Sequence, residues 1–337
     1  MSQEIVFAPS AASTSDADHW LIVIQGRIFE AAGDGIQAVA DEILGLIAGA
    51  DRKDPLFRAR VACFVSKSIK DARVSVALGD GVVQLAPSDP GGYFVASILL
   101  TNNQVGPISH DGVITFESLR TADSAGRFSG SAVQVPDEGV IVVSDMDDTI
   151  KVTNVNNHAE ARQNTLVLPF RPVGGMPELY SAWKASDPSV HFHIVSAGPW
   201  QFHEPLRAFT EEAGFPAFTW DMRSLDTTDP NTLISETVKA DPERLFNFKV
   251  PAIRALMTRF PKRHVILVGD SGERDPETYA QILAEFADHV DAILIHNVSD
   301  EDQTDRYKKL LPTQSMAAKL RVFVNPNELP HSLAAIG

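Results

Sequence analysis

Cysteine is nearly absent. Cys63 is the only one among 337 residues, so no disulfide can form within the chain. It lies in the apolar run Val61-Ala62-Cys63-Phe64-Val65, which reads as a buried thiol rather than a nucleophile. The lack of a disulfide framework fits a reducing compartment. Positive charge is also scarce: 29 Lys and Arg stand against 44 Asp and Glu, a formal net charge of -15. That excludes a nucleic-acid partner, which needs a dense basic face. It also opposes docking on anionic lipid, apart from two local basic stretches at 259–264 and 306–309. No apolar run approaches the ~20 residues of a membrane span, so no transmembrane segment is expected. The first 18 residues show no basic stretch followed by an apolar one, so no leader is expected either. Residues 1–15 read as a loose tail. A cytoplasmic location follows, with peripheral contact to a membrane left open.

What is present suffices for a large core. Hydrophobic residues make up 44% of the chain, and its length favours two domains. Residues 16–136 read as a β-rich, sandwich-like domain. Strand signals recur at Trp20 to Ile24, Arg73 to Leu78, Tyr93 to Leu100, Val113 to Phe116 and Phe128 to Val135, separated by turns such as Gly79-Asp80-Gly81. One helical insertion is expected, because Ile36, Val39, Ala40, Ile43, Leu44 and Ile47 recur at helical spacing.

Character changes near Pro136. Residues 137–337 contain four continuous apolar runs: Val140 to Val143, Phe192 to Val195, Val265 to Val268 and Ala292 to Ile295. A weaker fifth is Arg321 to Val324. Such runs belong to strands covered on both faces. Helical patterns at Pro251 to Phe260 and Pro276 to Asp288 complete an α/β, Rossmann-like doubly wound parallel sheet. The stretch between Ile150 and His191 leaves room for a small lid with one helix, at Pro177 to Lys184.

Polar groups follow each strand at once. They are Asp145, then Ser196-Ala197-Gly198, then Asp270 to Asp275, then His296. Ligands of open α/β sheets bind beyond the carboxyl ends of the strands, so these groups should meet on one rim. The carboxylates of Asp145, Asp147, Asp148, Asp270 and Asp275 would repel one another unless a cation joined them. All-oxygen ligands favour a hard ion, and Mg2+ is the usual partner of phosphate. In that setting Asp145 attacks phosphorus, and Asp147 protonates the leaving oxygen and later deprotonates water. Ser196 and the backbone N–H groups after it donate to the phosphoryl oxygens, and a lysine should supply the remaining charge.

These residues resemble a known superfamily. Asp145-x-Asp147-x-Thr149, Ser196, and Gly269-Asp270 with Asp275 are similar to three motifs of the haloacid dehalogenase superfamily. The resemblance implies Lys249 as the missing lysine and a haloacid dehalogenase-like phosphatase domain over 137–337. A narrower resemblance rests on Ser144-Asp145-Met146-Asp147-Asp148-Thr149-Ile150-Lys151-Val152-Thr153, Val195-Ser196-Ala197-Gly198-Pro199-Trp200 and Gly269-Asp270-Ser271-Gly272-Glu273-Arg274-Asp275. It points to the actin-patch phosphatidate phosphatase family, departing from it at Ala197-Gly198. That family implies Mg2+-dependent conversion of phosphatidate to diacylglycerol. It assigns catalysis to Asp145, Asp147, Thr149, Ser196 and Lys249. The metal falls to Asp145, Asp147, Asp270 and Asp275, and the substrate to Ser196, Ala197, Gly198 and Lys151.

Other readings remain. A calcium loop starting at Asp145 would need Gly and Glu where Ile150 and Asn156 stand. A receiver domain lacks the second acid, here Asp147. The substrate is open between phosphatidate and a soluble phosphomonoester, and a non-catalytic phosphate-sensing or membrane-adaptor module is a further alternative. His296 reads as a hydrogen-bonded histidine at a strand end.

Overall fold

The computed structural model describes residues 3–30, 51, 53–120, 126–225, 232, 241–299 and 302–336. The helix expected around residues 36–47 lies outside them. Two compact units emerge. The first comprises Met1–Pro136, Gly198–Pro205 and Arg223–Thr237. The second comprises Asp137–Ala197, Leu206–Met222 and Val238–Gly337.

The first unit is built on a ten-stranded sheet. Its strands are β1 (Gln3–Ala8), β2 (Ser10–Asp16), β3 (His19–Glu30), β4 (Lys67–Ser68), β5 (Ser75–Leu78), β6 (Gly81–Gln84), β7 (Tyr93–Thr101), β8 (Ser109–His110), β9 (Val113–Ser118) and β10 (Ser129–Val135). The order is β1-β3-β2-β10-β9-β5-β6, with β4 and β7 on β3 and β8 on β9. Phe7 packs edge-on against Phe94 and Phe116, at 5.7 and 5.1 Å between ring centres.

Two expectations are corrected here. Residues 3–16 form strands, not a loose tail. Their small side chains, which by composition suggested a tail, let β2 sit between β3 and β10, where Ala11 and Ala12 are 1% and 0% exposed. The sheet is also mixed rather than purely antiparallel, because β2 and β10 run parallel. Local patterning does not reveal that pair, because it joins Ser10–Ser13 to Ala132–Val135 across most of the unit.

Helix α1 (Pro55–Val65) carries Cys63. Its start is written in Asp54-Pro55: Asp54 accepts the N–H groups of Leu56 and Phe57, and proline suits the first turn. The Cys63 thiol is half-buried. Burial pushes its pKa up to about 11, the wrong direction for a nucleophile.

The second unit holds a six-stranded sheet in the order β13-β12-β11-β14-β15-β16. The strands are β11 (Gly139–Ser144), β12 (His191–Pro199), β13 (Phe218–Arg223), β14 (Arg263–Asp270), β15 (Val290–His296) and β16 (Leu320–Phe323). The pairs β12/β11, β11/β14, β14/β15 and β15/β16 are parallel. Continuous apolar runs explain the placement: Ile141, Val142 and Val143 are all 0% exposed, so no polar face is required. The chain first winds from β11 toward β13, then returns to the other side of β11 with β14. The strand order therefore reverses between β11 and β14, where open sheets leave a crevice at their carboxyl ends.

Two helices, not one, lie between β11 and β12: α2 (His158–Leu166) and α3 (Met176–Ser186). The expected lid helix corresponds to α3, which is a packed crossover rather than a lid. Tyr180 and Trp183 are 0% exposed, and Tyr180 stacks on Phe192 of β12 at 5.4 Å. Helix α4 (Pro242–Arg259) begins well before Pro251, which lies inside it. Pro251 was a natural place to start a helix, since proline lacks the N–H an interior position donates. Helix α5 (Asp275–Glu285) follows β14, and α6 (Thr304–Leu310) follows β15. No helix among the described residues is long and apolar enough to cross a membrane.

Candidate active site

Strand register brings the predicted residues to one rim. Ser144 pairs with Val268 on one side and with Ile194 on the other. Asp145 is thus the first residue beyond β11, and its N–H donates to Val268 O at 2.9 Å. Asp270 and Ser196, each two residues past a partner of Ser144, arrive at the same level on the flanking strands. Asp145 is 2% exposed, Ser196 1% and Asp270 0%.

The segment after Asp145 is a tight loop organised by Asp148. Asp148 has a positive φ of 52°. Its N–H donates to Lys151 O, and its carboxylate accepts the N–H groups of Thr153, Asn154 and Val155, each at 2.7 Å. His296 Nδ1 lies 2.6 Å from Asp148 O and donates to it, while its ring stacks on Phe323. Asp148 is therefore a loop staple, and no free carboxylate of it faces the crevice.

Asp147 belongs to a second small network. Its Oδ1 is 2.7 Å from Lys151 Nζ and 2.5 Å from the Thr153 hydroxyl. Lys151 Nζ also donates to Thr153 and lies over the Phe170 ring at 5.2 Å. Burial pushes Asp147 upward, but the Lys151 ammonium and the hydrogen bonds from Lys151 and Thr153 outweigh it. The carboxyl is held below its ordinary range.

Lys249, on α4, is the cation of the deeper layer. Its Nζ sits 2.7 Å from Asp145 Oδ1, 2.6 Å from Asp275 Oδ1 and 3.5 Å from Glu273 Oε2. Burial opposes the ammonium, yet Asp145, Asp275 and Glu273 hold its pKa well above the usual value. Asp275 Oδ2 accepts the Asp270 N–H at 3.2 Å. Gly269 is required beside it, because a Cβ there would collide with the Asp275 carboxylate.

A group of three carboxylates remains: Asp145, Asp270 and Glu273 each offer an oxygen, all within 4.8 Å of one another. Asp270 Oδ1 accepts from the N–H groups of Gly272 and Glu273, at 2.6 and 3.1 Å. Among the described residues, Asp145 Oδ2 and Asp270 Oδ2 are buried without a hydrogen-bond partner. Two buried anionic oxygens with nothing to accept from are costly unless a cation meets them. Burial, with the neighbouring carboxylates, pushes Asp270 well above its ordinary value, and burial does the same to Asp145 despite Lys249. The donor set fits a hard divalent ion.

The residues expected to hold a metal therefore divide. Asp145 and Asp270 belong to the group. Glu273 is the third member, while the Asp147 carboxylate lies against Lys151 and the Asp275 carboxylate against Lys249. Asp275 and Glu273 are both acids of one loop, and only packing decides between them. Thr149 is 0% exposed, and its hydroxyl has no partner among the described residues. Ala197 is buried beside Ser196, and Gly198 is half-buried further along β12. Sequence reasoning named Thr153 within the motif without a role and read Phe170 as core; here Thr153 bonds Asp147 and Lys151, and Phe170 lies under Lys151. Thr153 sits two residues past Lys151, inside the motif, and alternation along the loop was the available signal.

The acid cluster predicts a specific pH response. A carboxyl whose folded pKa exceeds its unfolded one holds its proton more tightly when folded. Its stabilisation is complete below the unfolded value and is lost as pH rises through the folded one. For Glu273 the window runs from 4.5 to about 7, burial being the main cause. The chelated protein should thus lose thermal stability from about pH 4.5 to about pH 7. Added divalent ion should restore it, with an increment that grows with pH. A Tm indifferent to divalent ions at every pH would remove the cluster as a cation site.

Comparison with known proteins adds the family. Residues 140–297 match the model of the phosphatidate phosphatase APP1 catalytic domain. Over this segment the chain is similar to that catalytic domain. It contains Asp145, Asp147, Ser196, Lys249, Asp270, Glu273 and Asp275. Two curated relatives are each similar to about half of this chain. An uncharacterised protein of Schizosaccharomyces pombe is 28% identical over 166 residues, covering 48% of this chain and 26% of that protein. Phosphatidate phosphatase APP1 of Saccharomyces cerevisiae is 28% identical over 165 residues, with the same coverage. The aligned region spans only about a quarter of either relative. Among solved structures, a sialyltransferase from Photobacterium damsela is 10% identical with a TM-score of 0.24, covering 75% of this chain and 46% of that one. A likeness that low carries no weight for the fold.

Proposed function

We propose that the second unit is a Mg2+-dependent phosphomonoesterase of haloacid dehalogenase type, converting phosphatidate to diacylglycerol and phosphate. The observation that carries this reading is the state of Asp145. One oxygen is held by Lys249 at 2.7 Å. The other is buried, unpartnered, and beside the equally unpartnered Asp270 Oδ2. The APP1-type match over residues 140–297 supports the substrate.

In this reading an Asp145 oxygen attacks phosphorus and the P–O bond to the glyceride breaks, giving an aspartyl phosphate. Asp147 gives its proton to the leaving oxygen. Water then attacks the aspartyl phosphate, Asp147 takes the water proton, and the P–O bond to Asp145 breaks to regenerate the carboxylate. A divalent ion among Asp145, Asp270 and Glu273 would neutralise the meeting of anion with anion and polarise the phosphoryl oxygens. Ser196, Thr149 and the N–H groups at Ala197 and Gly198 are the proposed donors to the phosphoryl group. Asp147 as it stands, paired with Lys151, is suited to deprotonating water. The first step needs it protonated, so the pairing opens when substrate binds and Lys151 turns to the phosphate. Phosphatidate lies in a membrane, so the protein works as a peripheral enzyme on the cytoplasmic side.

Phosphate release should be far faster from phosphatidate in mixed micelles than from soluble phosphomonoesters, and should stop in excess chelator. The reverse ranking of substrates would assign a soluble phosphomonoester instead.

A further inference from the structure

Arg306 lies on α6, beyond the segment that matches the family model. Its basic neighbourhood suggested a contact with anionic headgroups, but the side chain turns inward. Nε and one terminal nitrogen meet the two oxygens of Glu277 at 2.8 and 2.6 Å. The same terminal nitrogen donates to Glu273 O at 2.7 Å. The other donates to Ser271 O at 2.8 Å and to Gln303 at 3.2 Å. Ser271 and Glu273 belong to the loop between Asp270 and α5, and Glu277 is in the first turn of α5.

We propose that Arg306 is a positioning residue for the divalent-ion site, its planar fork clamping the loop that carries Asp270 and Glu273. The inference rests on the metal-dependent reading of that site. The physical case is one of valence. The loop runs from a buried strand end to a helix start, and its carbonyls at Ser271 and Glu273 both accept from the Arg306 guanidinium. A donor must hold them in place, since Asp270 and Glu273 repel each other in the absence of a cation. One guanidinium does so while its bidentate pair with Glu277 fixes its own orientation. Lysine offers a single point of charge and cannot hold both carbonyls and both oxygens at once. Groups that orient ligands in this way commonly change metal affinity about 10- to 100-fold when lost.

The test is Mg2+ binding to the full chain by calorimetry, for the wild type, R306K and, as a milder second variant, E277Q. R306K should weaken Mg2+ affinity by about tenfold or more, and E277Q should weaken it in the same direction by less. Phosphatase activity of R306K should return toward the wild-type kcat at saturating Mg2+, which a purely structural defect would not do. Unchanged Mg2+ affinity in both variants, with the wild type binding normally, overturns the clamp alone. A wild-type chain that binds no divalent ion overturns the metal reading and the clamp with it.

Discussion

Replacing Asp145 by asparagine is expected to cut phosphate release by at least about 10^4-fold, the scale seen when a covalent nucleophile is removed. The amide is nearly the same shape, so the loss is chemical. Its oxygen carries no charge with which to attack phosphorus, and its nitrogen cannot serve a cation. Stability should move little. Lys249 keeps Asp275 at 2.6 Å and Glu273 at 3.5 Å, and one of several mutually repelling buried carboxylates has been removed. The change in Tm should stay within about 3 °C, the shift that ~1 kcal/mol produces in a unit of this size. Activity and thermal melts measured on the same preparation separate the two effects. Turnover near the wild-type level would exclude Asp145 as the nucleophile.

Lys249→Met should be the most destabilising single change in the site. Lys249 and Asp145 are each 2% exposed and Asp275 is 0%. The substitution leaves Asp145, Asp275 and Glu273 without their common cation. Removing one partner of a buried ion pair costs roughly 3–5 kcal/mol, because the other charge remains out of water. For a unit of this size that is a fall in Tm of about 10 °C or more. The sign of its pH dependence follows from the carboxylates. Without the ammonium the Asp145 and Glu273 carboxyls, already raised by burial, are pushed further up, so the penalty is greatest at neutral and alkaline pH and shrinks as acid protonates them. Asp275→Asn introduced with Lys249→Met should recover part of the loss, because one unpaired charge is gone. A Lys249→Met protein as stable as the wild type at neutral pH would show that the ammonium does not compensate the cluster. Turnover should fall as well, since Lys249 holds the attacking carboxylate in place.

Five of the six strands of the second unit, all but β13, were legible in the amino-acid order alone, as were the residues that follow β11, β12 and β14. Parallel strands buried on both faces must be apolar throughout, and such runs stand out in any sequence. Asp145, Ser196 and Asp270 follow those runs directly, so their convergence needed only the rule that ligands gather at carboxyl ends. How the charges are shared was settled by packing. Lys249 was legible only through resemblance, because its helix passes through Pro251 and looks broken there. Glu273 and Asp275 are two acids in one short loop, equivalent in composition. Which one faces the cation group depends on the room left by Gly269 and on the pull of Lys249. Asp148 looked like one more carboxylate of the cluster, yet its three backbone partners lie five to seven residues ahead, brought back by the turn its positive φ creates. The same reason hid the parallel pairing of β2 with β10 and the reach of Arg306 to Ser271. Each joins residues far apart in the chain, and side-chain direction at such contacts is fixed by packing rather than by neighbours in sequence.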